Sequence, residues 1–151
     1  MGDFKISRKN LDKSITDLVR KADRKTSATW ALDCAEHVLP YFENEYPDDD
    51  RPRLAIEAGR TWVKTNVFKM ADIRRAALAA HAAARDVKED DAPRAAARAA
   101  GQAVGTAHVA THAVGAALYA LKAVHDGNDS HDDAVAKERE WQYSRLLSLL
   151  S

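Results

Sequence analysis

The stretch DAPRAAARAAGQAVGTAHVATHAVGAALYALKAVHDGN, residues 91–128, decides the fold. Alanine loses no side-chain entropy in a helix and buries no polar group, so a run this rich in it favours helix over any alternative. Asp91 is placed to cap the first turn, and Pro93 sits where a missing N–H costs nothing. Nothing then stops a helix before His125-Asp126-Gly127-Asn128. The reading is one central rod over about residues 92–125, roughly 45 Å long at 1.5 Å per residue.

Working outward, five more helices can be placed around it. The first spans about Asn10 to Ala22, with Leu11, Ile15, Leu18 and Val19 on one face. The second starts after Thr26 or Ser27 and carries Trp30, Cys34 and Val38 until Pro40 breaks it, leaving a short turn through Tyr41 and Phe42. Asp50 and Pro52 open a third that runs to about Thr65. A fourth covers about Phe68 to Val87. The last follows Ser130 and ends in Leu146, Leu147, Leu149 and Leu150. No segment alternates apolar and polar residues in the way a half-buried strand does. The expectation is an all-α, single-domain helical bundle of about six helices. Residues 1–25 form a basic helical arm, loosely attached, and residues 26–151 form the bundle.

Hydrophobic residues at 46% and charged residues at 30% describe a folded chain with a core. Formal net charge is zero, which gives no global field to attract nucleic acid or an anionic membrane. The lone Cys34 cannot form an internal disulfide, which fits a reducing compartment. No apolar run approaches a membrane span, and Met1 is followed by polar residues rather than a signal sequence, so the expected location is the cytoplasm.

Stepping by four and three along the rod from Arg94 gives Arg98, Gly101, Gly105, His108, His112, Gly115 and Tyr119 on one drifting face. Arg74, Leu78, His81 and Arg85 repeat the pattern on the fourth helix. Asp33 and His37 lie four apart on the second, and Arg53, Glu57 and Arg60 line the third. If these stripes face one another, Asp33, Arg53, His81, Arg85, Arg98, His108 and His112 enclose a polar pocket for a metal ion or small anion. Charges buried there would have to be paired, with Asp33 against an Arg or a His. The same residues fit a plainer arrangement, with Arg94 and Arg98 on a solvated edge and the two histidines as a packing pair. His108 and His112 have the helical spacing of two metal ligands, but Val109 stands where a metalloprotease helix has its glutamate. Spacing does not choose a third ligand among Asp33, His81 and Cys34. Neither a cofactor motif nor a catalytic residue is indicated, and Asp33 beside Cys34 would discourage a thiolate.

From Trp30 to Asp50 there are seven acids and no Lys or Arg. Within that stretch Glu43, Glu45, Tyr46, Asp48 and Asp49 read either as a solvated loop or as a docking surface for a basic partner, with tyrosines as anchors.

Several segments resemble a known family. The strings Trp30–Pro40 (WALDCAEHVLP) and Pro47–Arg53 (PDDDRPR) are similar to the opening of the immunity-five-like all-α domains of bacterial polymorphic toxin systems. Ala79–Arg85 (AAHAAAR) and Ala95–Ala103 (AAARAAGQA) look like the middle of those domains. Thr106-Ala107-His108, His112 and Ala117–Ala123 (ALYALKA) look like the end. The likeness runs over about residues 28–125. It implies a bacterial immunity protein that binds and neutralises a cognate toxin, with no enzymatic activity, no cofactor and no catalytic residues. The leucines at the C-terminus or the Ile15/Leu18/Val19 face also leave room for a homodimer.

Overall fold

The computed structural model describes residues 4–7, 11 and 13–151. Among these, eight helices are present: α1 (Lys13–Lys21), α2 (Arg24–Val38), α3 (Pro40–Glu43), α4 (Arg51–Thr65), α5 (Met70–Asp86), α6 (Ala92–Gly105), α7 (His112–Asp126) and α8 (His131–Leu150). The fold is an all-α bundle, with no strand among the described residues. Asn10, the expected start of the first helix, lies outside them.

The expected continuous rod is broken. Helix α6 ends at Gly105, Thr106–Thr111 form turns, and α7 starts at His112. Glycine at the end of α6 and the β-branched Thr106, Val109 and Thr111 weaken helix locally. The larger cause is burial. The break lets α7 fold back on α6, and these two make the most extensive helix pairing in the molecule. Ala96, Ala99, Ala100 and Ala103 on α6, and Ala113, Ala116, Ala117 and Ala120 on α7, are all essentially inaccessible. Small side chains permit this close approach, which an unbroken rod would forgo. The turn satisfies its own backbone, with Gly105 O accepting from His108 N at 3.0 Å and from Val109 N at 2.9 Å.

Other ends follow local rules with local differences. Asp23, not Thr26 or Ser27, caps α2, its carboxylate accepting from Thr26 N at 2.7 Å. Asp91 caps α6 through Ala92 N at 2.8 Å. Asp50 and Ser130 occupy their N-cap positions without making a side-chain cap bond. Helix α2 stops at Val38, and Pro40 starts the one-turn α3. Asn66 closes α4 in the left-handed region at φ 62°, which an asparagine tolerates.

Helix α1, the helical part of the basic arm among the described residues, is packed, not loose. Leu11, Ile15 and Val19 are buried in the same core as the rest of the chain, and α1 touches α7 and α8. At the centre lie Trp30, Leu32, Phe42, Ile56, Leu121 and Leu146. The Trp30 indole N–H donates to the Gln142 carbonyl at 2.9 Å, tying α2 to α8 across the core. No helix among the described residues is long and apolar enough to cross a membrane.

Candidate functional site

The predicted pocket residues divide between places on the bundle. The first is a cleft of about 190 Å³ between α5, α6 and α7, lined by Met70, Ile73, Arg74, Ala77, Leu78 and His81, with Gly101, Gly105, His108 and His112. It holds Arg74, Leu78 and His81 of one predicted stripe and Gly101, Gly105, His108 and His112 of the other, while Arg85, Arg94 and Arg98 are not among its lining. Alanine and glycine create the space. A Cβ on Gly101 would sit 2.6 Å from His81 Nε2, one on Gly105 3.3 Å from the His112 ring, and one on Gly115 2.5 Å from Gln102 Oε1.

The hydrogen bonds fix the tautomers. Arg98 carries only donors, so its Nη1 donates to His81 Nδ1 at 3.1 Å. His81 is therefore neutral with its proton on Nε2, over Gly101. Burial holds its pKa down to about 4, reinforced by the charges of Arg98 and Arg85 and by His112. On the opposite wall His112 Nδ1–H donates to Gln102 Oε1 at 2.7 Å, leaving Nε2 a lone pair. Its pKa is also lowered, by burial first and by His108 second. The cleft thus presents one imidazole as a donor and one as an acceptor at neutral pH. No carboxylate lines it.

The second place is an open groove of about 510 Å³ lined by Asp33, Glu36, His37, Pro40, Arg60, Trp141 and Arg145. Asp33 is not in the histidine cleft, contrary to the sequence expectation. Arg145 Nε donates to its Oδ2 at 2.7 Å, and Arg60 reaches its Oδ1 at 2.9 Å and Glu36 at 3.1 Å. His37 stacks on Trp141 with ring centroids 3.8 Å apart, and its Nδ1–H donates to the buried Glu138 at 2.7 Å. Burial raises the Glu138 pKa, which the bond from His37 opposes. Cys34, next to Asp33 in the chain, is wholly buried, and desolvation together with Glu138 and Asp33 pushes its thiol well up, which disfavours the thiolate.

Two further predicted residues also fall outside a common pocket. Arg53 pairs with Glu43 at 2.8 Å, and Arg85 is exposed on α5, acting on His81 only through its charge. His108 is exposed in the break between α6 and α7, so the helical metal-ligand spacing with His112 does not exist, although both line the cleft. Among the described residues no three His, Cys, Asp or Glu side chains gather to hold a metal ion.

The acidic turn is partly neutralised. Besides Glu43, Asp49 accepts two bonds from the Arg51 guanidinium at 2.9 and 2.7 Å, which lowers the Asp49 pKa, and Arg51 also reaches Asp86 at 2.8 Å. Tyr46 packs on Phe42 with ring centroids 5.3 Å apart and the rings tilted by 30°, while Glu45 and Asp48 stay exposed.

Sequence reasoning missed Glu138, Trp141 and Arg145, although they share one face of α8 at spacings of three and four. It also missed Gln102, one residue from the glycine of the stripe. The chain has no significant match among curated proteins or among solved structures. Residues 17–149 do match one family, from within α1 almost to the end of α8, and the chain belongs to it: the Imm-5 like putative immunity proteins.

Proposed function

We propose that this protein neutralises one cognate toxin of a polymorphic toxin system by binding it in the cytoplasm, with no chemistry of its own. The family membership over residues 17–149 carries this reading. The geometry supports it in a particular way. The polar side chains that could have formed a reactive centre are engaged with one another: Asp33 with Arg60 and Arg145, His81 with Arg98, His112 with Gln102. Such pairs fix helices in place, and a rigid surface binds without a large ordering cost. The turn at 43–50 is a secondary contact in this reading, since Glu45 and Asp48 offer charge to a basic segment.

The test is co-expression with the toxin encoded beside the gene. Protection of the cell and a stoichiometric complex that survives gel filtration are expected. Neither protection nor a complex would overturn the proposal, and multiple turnover of a modified toxin would overturn its non-catalytic part.

A further inference from the structure

We infer that the toxin docks on the cleft between α5, α6 and α7 and its apolar rim, through a segment that is itself acidic and apolar. This rests on the immunity reading above and names the surface and the partner chemistry for it.

Exposed large apolar side chains are concentrated here. Val67, Phe68 and Met70 lie at the entry to α5, Leu78 projects from its middle, and Val109 stands in the break beside His108. Leu78 is 59% exposed and Val67 58%, values far from those of core residues. A second depression, of about 290 Å³, adjoins the cleft through the shared Ile73; Val67 and Trp62 give it an apolar wall, and Lys69 and Asp72 also line it. Exposed apolar side chains gathered on neighbouring depressions, with Arg74 among them, have the composition of a protein interface.

The charge selects the partner. Arg74 reaches only the Met70 sulfur, Arg98 only His81, and neither they nor Arg85 meet a carboxylate among the described residues. Elsewhere on the bundle guanidiniums at Arg51, Arg53, Arg60 and Arg145 each hold an acid. The acid at this rim, Asp72, is engaged with Arg75 at 3.6 Å, so a partner bringing carboxylates to Arg74 gains attraction that no internal ion pair satisfies. The glycine floor at Gly101 and Gly105 makes the surface concave, which suits a side chain inserted from a partner better than a flat bilayer.

The experiment compares the wild-type protein with Leu78→Asp and Arg74→Glu, both exposed on α5, and with Leu147→Asp, exposed on α8, which packs against α2, α7 and α1. Circular dichroism and Tm confirm folding, and calorimetry measures affinity for the co-expressed toxin at low and high salt. Leu78→Asp is expected to weaken binding about 100-fold and Arg74→Glu about 10-fold. Leu147→Asp should bind as wild type, and wild-type affinity should fall with salt. Wild-type affinity in either α5 variant overturns the docking site while leaving the immunity reading in place. No complex with the wild-type protein overturns both. Vesicles of phosphatidylglycerol and sedimentation are run on the same variants. If Leu78→Asp abolishes vesicle binding or self-association but leaves toxin affinity unchanged, the face belongs to a membrane or a second copy, and the proposal fails.

Discussion

Around Asp33, three helices bring two guanidiniums onto one carboxylate; around His81, three helices bring arginines and imidazoles together with no carboxylate at all. The same residue types therefore do different physical work on two sides of one bundle. In the Asp33 groove each charge has its counter-charge, and the pairs cross from α2 to α4 and α8, so the cluster acts as a staple. In the His81 cleft no counter-charge is present, and both histidines are held neutral by burial first, reinforced at His81 by Arg98 and Arg85 and at His112 by His108. A paired cluster stabilises the fold it sits in. An unpaired one leaves attraction available to something outside.

The comparison breaks most severely if α2 and α8 separate. Trp30 is fully buried and bonds to the Gln142 carbonyl, directly beneath the paired groove. Trp30→Ala should cost about 3–5 kcal/mol, a large part of the stability of a domain this size, through lost transfer free energy and the cavity left behind. Urea denaturation measures it. A loss below about 1 kcal/mol would mean that the groove residues, not the indole, hold the two helices together.

Next in size is the staple itself. Asp33 is mostly shielded, with 11% of its side chain exposed, while Arg60 and Arg145 are near 40%. Asp33→Ala should cost about 2 kcal/mol, between the values for surface and buried pairs. The double variant Asp33→Ala/Arg145→Ala should then be less damaging than the sum of the single ones. Additivity would show that the pair contributes nothing measurable.

How much of this contrast could be read from the sequence depends on the range of the contacts. The bundle was legible because helical periodicity and caps are local, and Asp91 with Pro93 marks the start of α6 correctly. The break at Thr106–Thr111 was not, because its cause is the pairing of α6 with α7, a tertiary gain that overrides alanine's preference for helix. The histidine–arginine stripe was legible only in part: Arg98 bonds to His81, and His81 and His112 line one cleft, while Arg53 and Arg85 lie elsewhere. Asp33 does pair with arginines, but in a groove apart from the histidines, because helical periodicity fixes the faces of helices and not the order in which those faces meet. Arg145 is 112 residues from Asp33, and nothing local connects them.

The unpaired cleft has a pH signature opposite in sign to that of the groove. His81 has a folded pKa of about 4, and that of His112 is also depressed, whereas an unfolded histidine titrates near 6.5. Between those values the unfolded chain binds more protons, so stability is complete above about pH 6.5 and is lost as pH falls toward 4. For a partly exposed imidazole the loss from His81 is about 1–2 kcal/mol, or about 5 °C in Tm. Glu138 works in the opposite sense, because its raised folded pKa favours the native state as pH falls through its own window. Thermal melts of wild type and His81→Gln at pH 7 and pH 4.5 separate these effects. The variant should lose less stability on acidification, and equal losses would place the acid sensitivity elsewhere.

The smallest effect concerns a buried group on α8 that finds no partner among the described residues. Gln142 is completely buried; its amide nitrogen donates to the Ala117 carbonyl at 3.1 Å, but its Oε1 has no hydrogen-bond partner. A buried acceptor without a donor costs free energy that an apolar group of similar shape does not incur. Ala117 lies within α7, where its carbonyl retains a helical partner if the glutamine is removed. Gln142→Met keeps the volume and the flexibility, so it should stabilise the protein by about 1 kcal/mol, read as a higher urea midpoint at unchanged m. The Trp30 bond goes to the backbone of residue 142 and survives the change. A stability loss instead would mean that the amide bond to Ala117 outweighs the orphaned oxygen, and that this side of the bundle is already as fully paired as its ion pairs suggest.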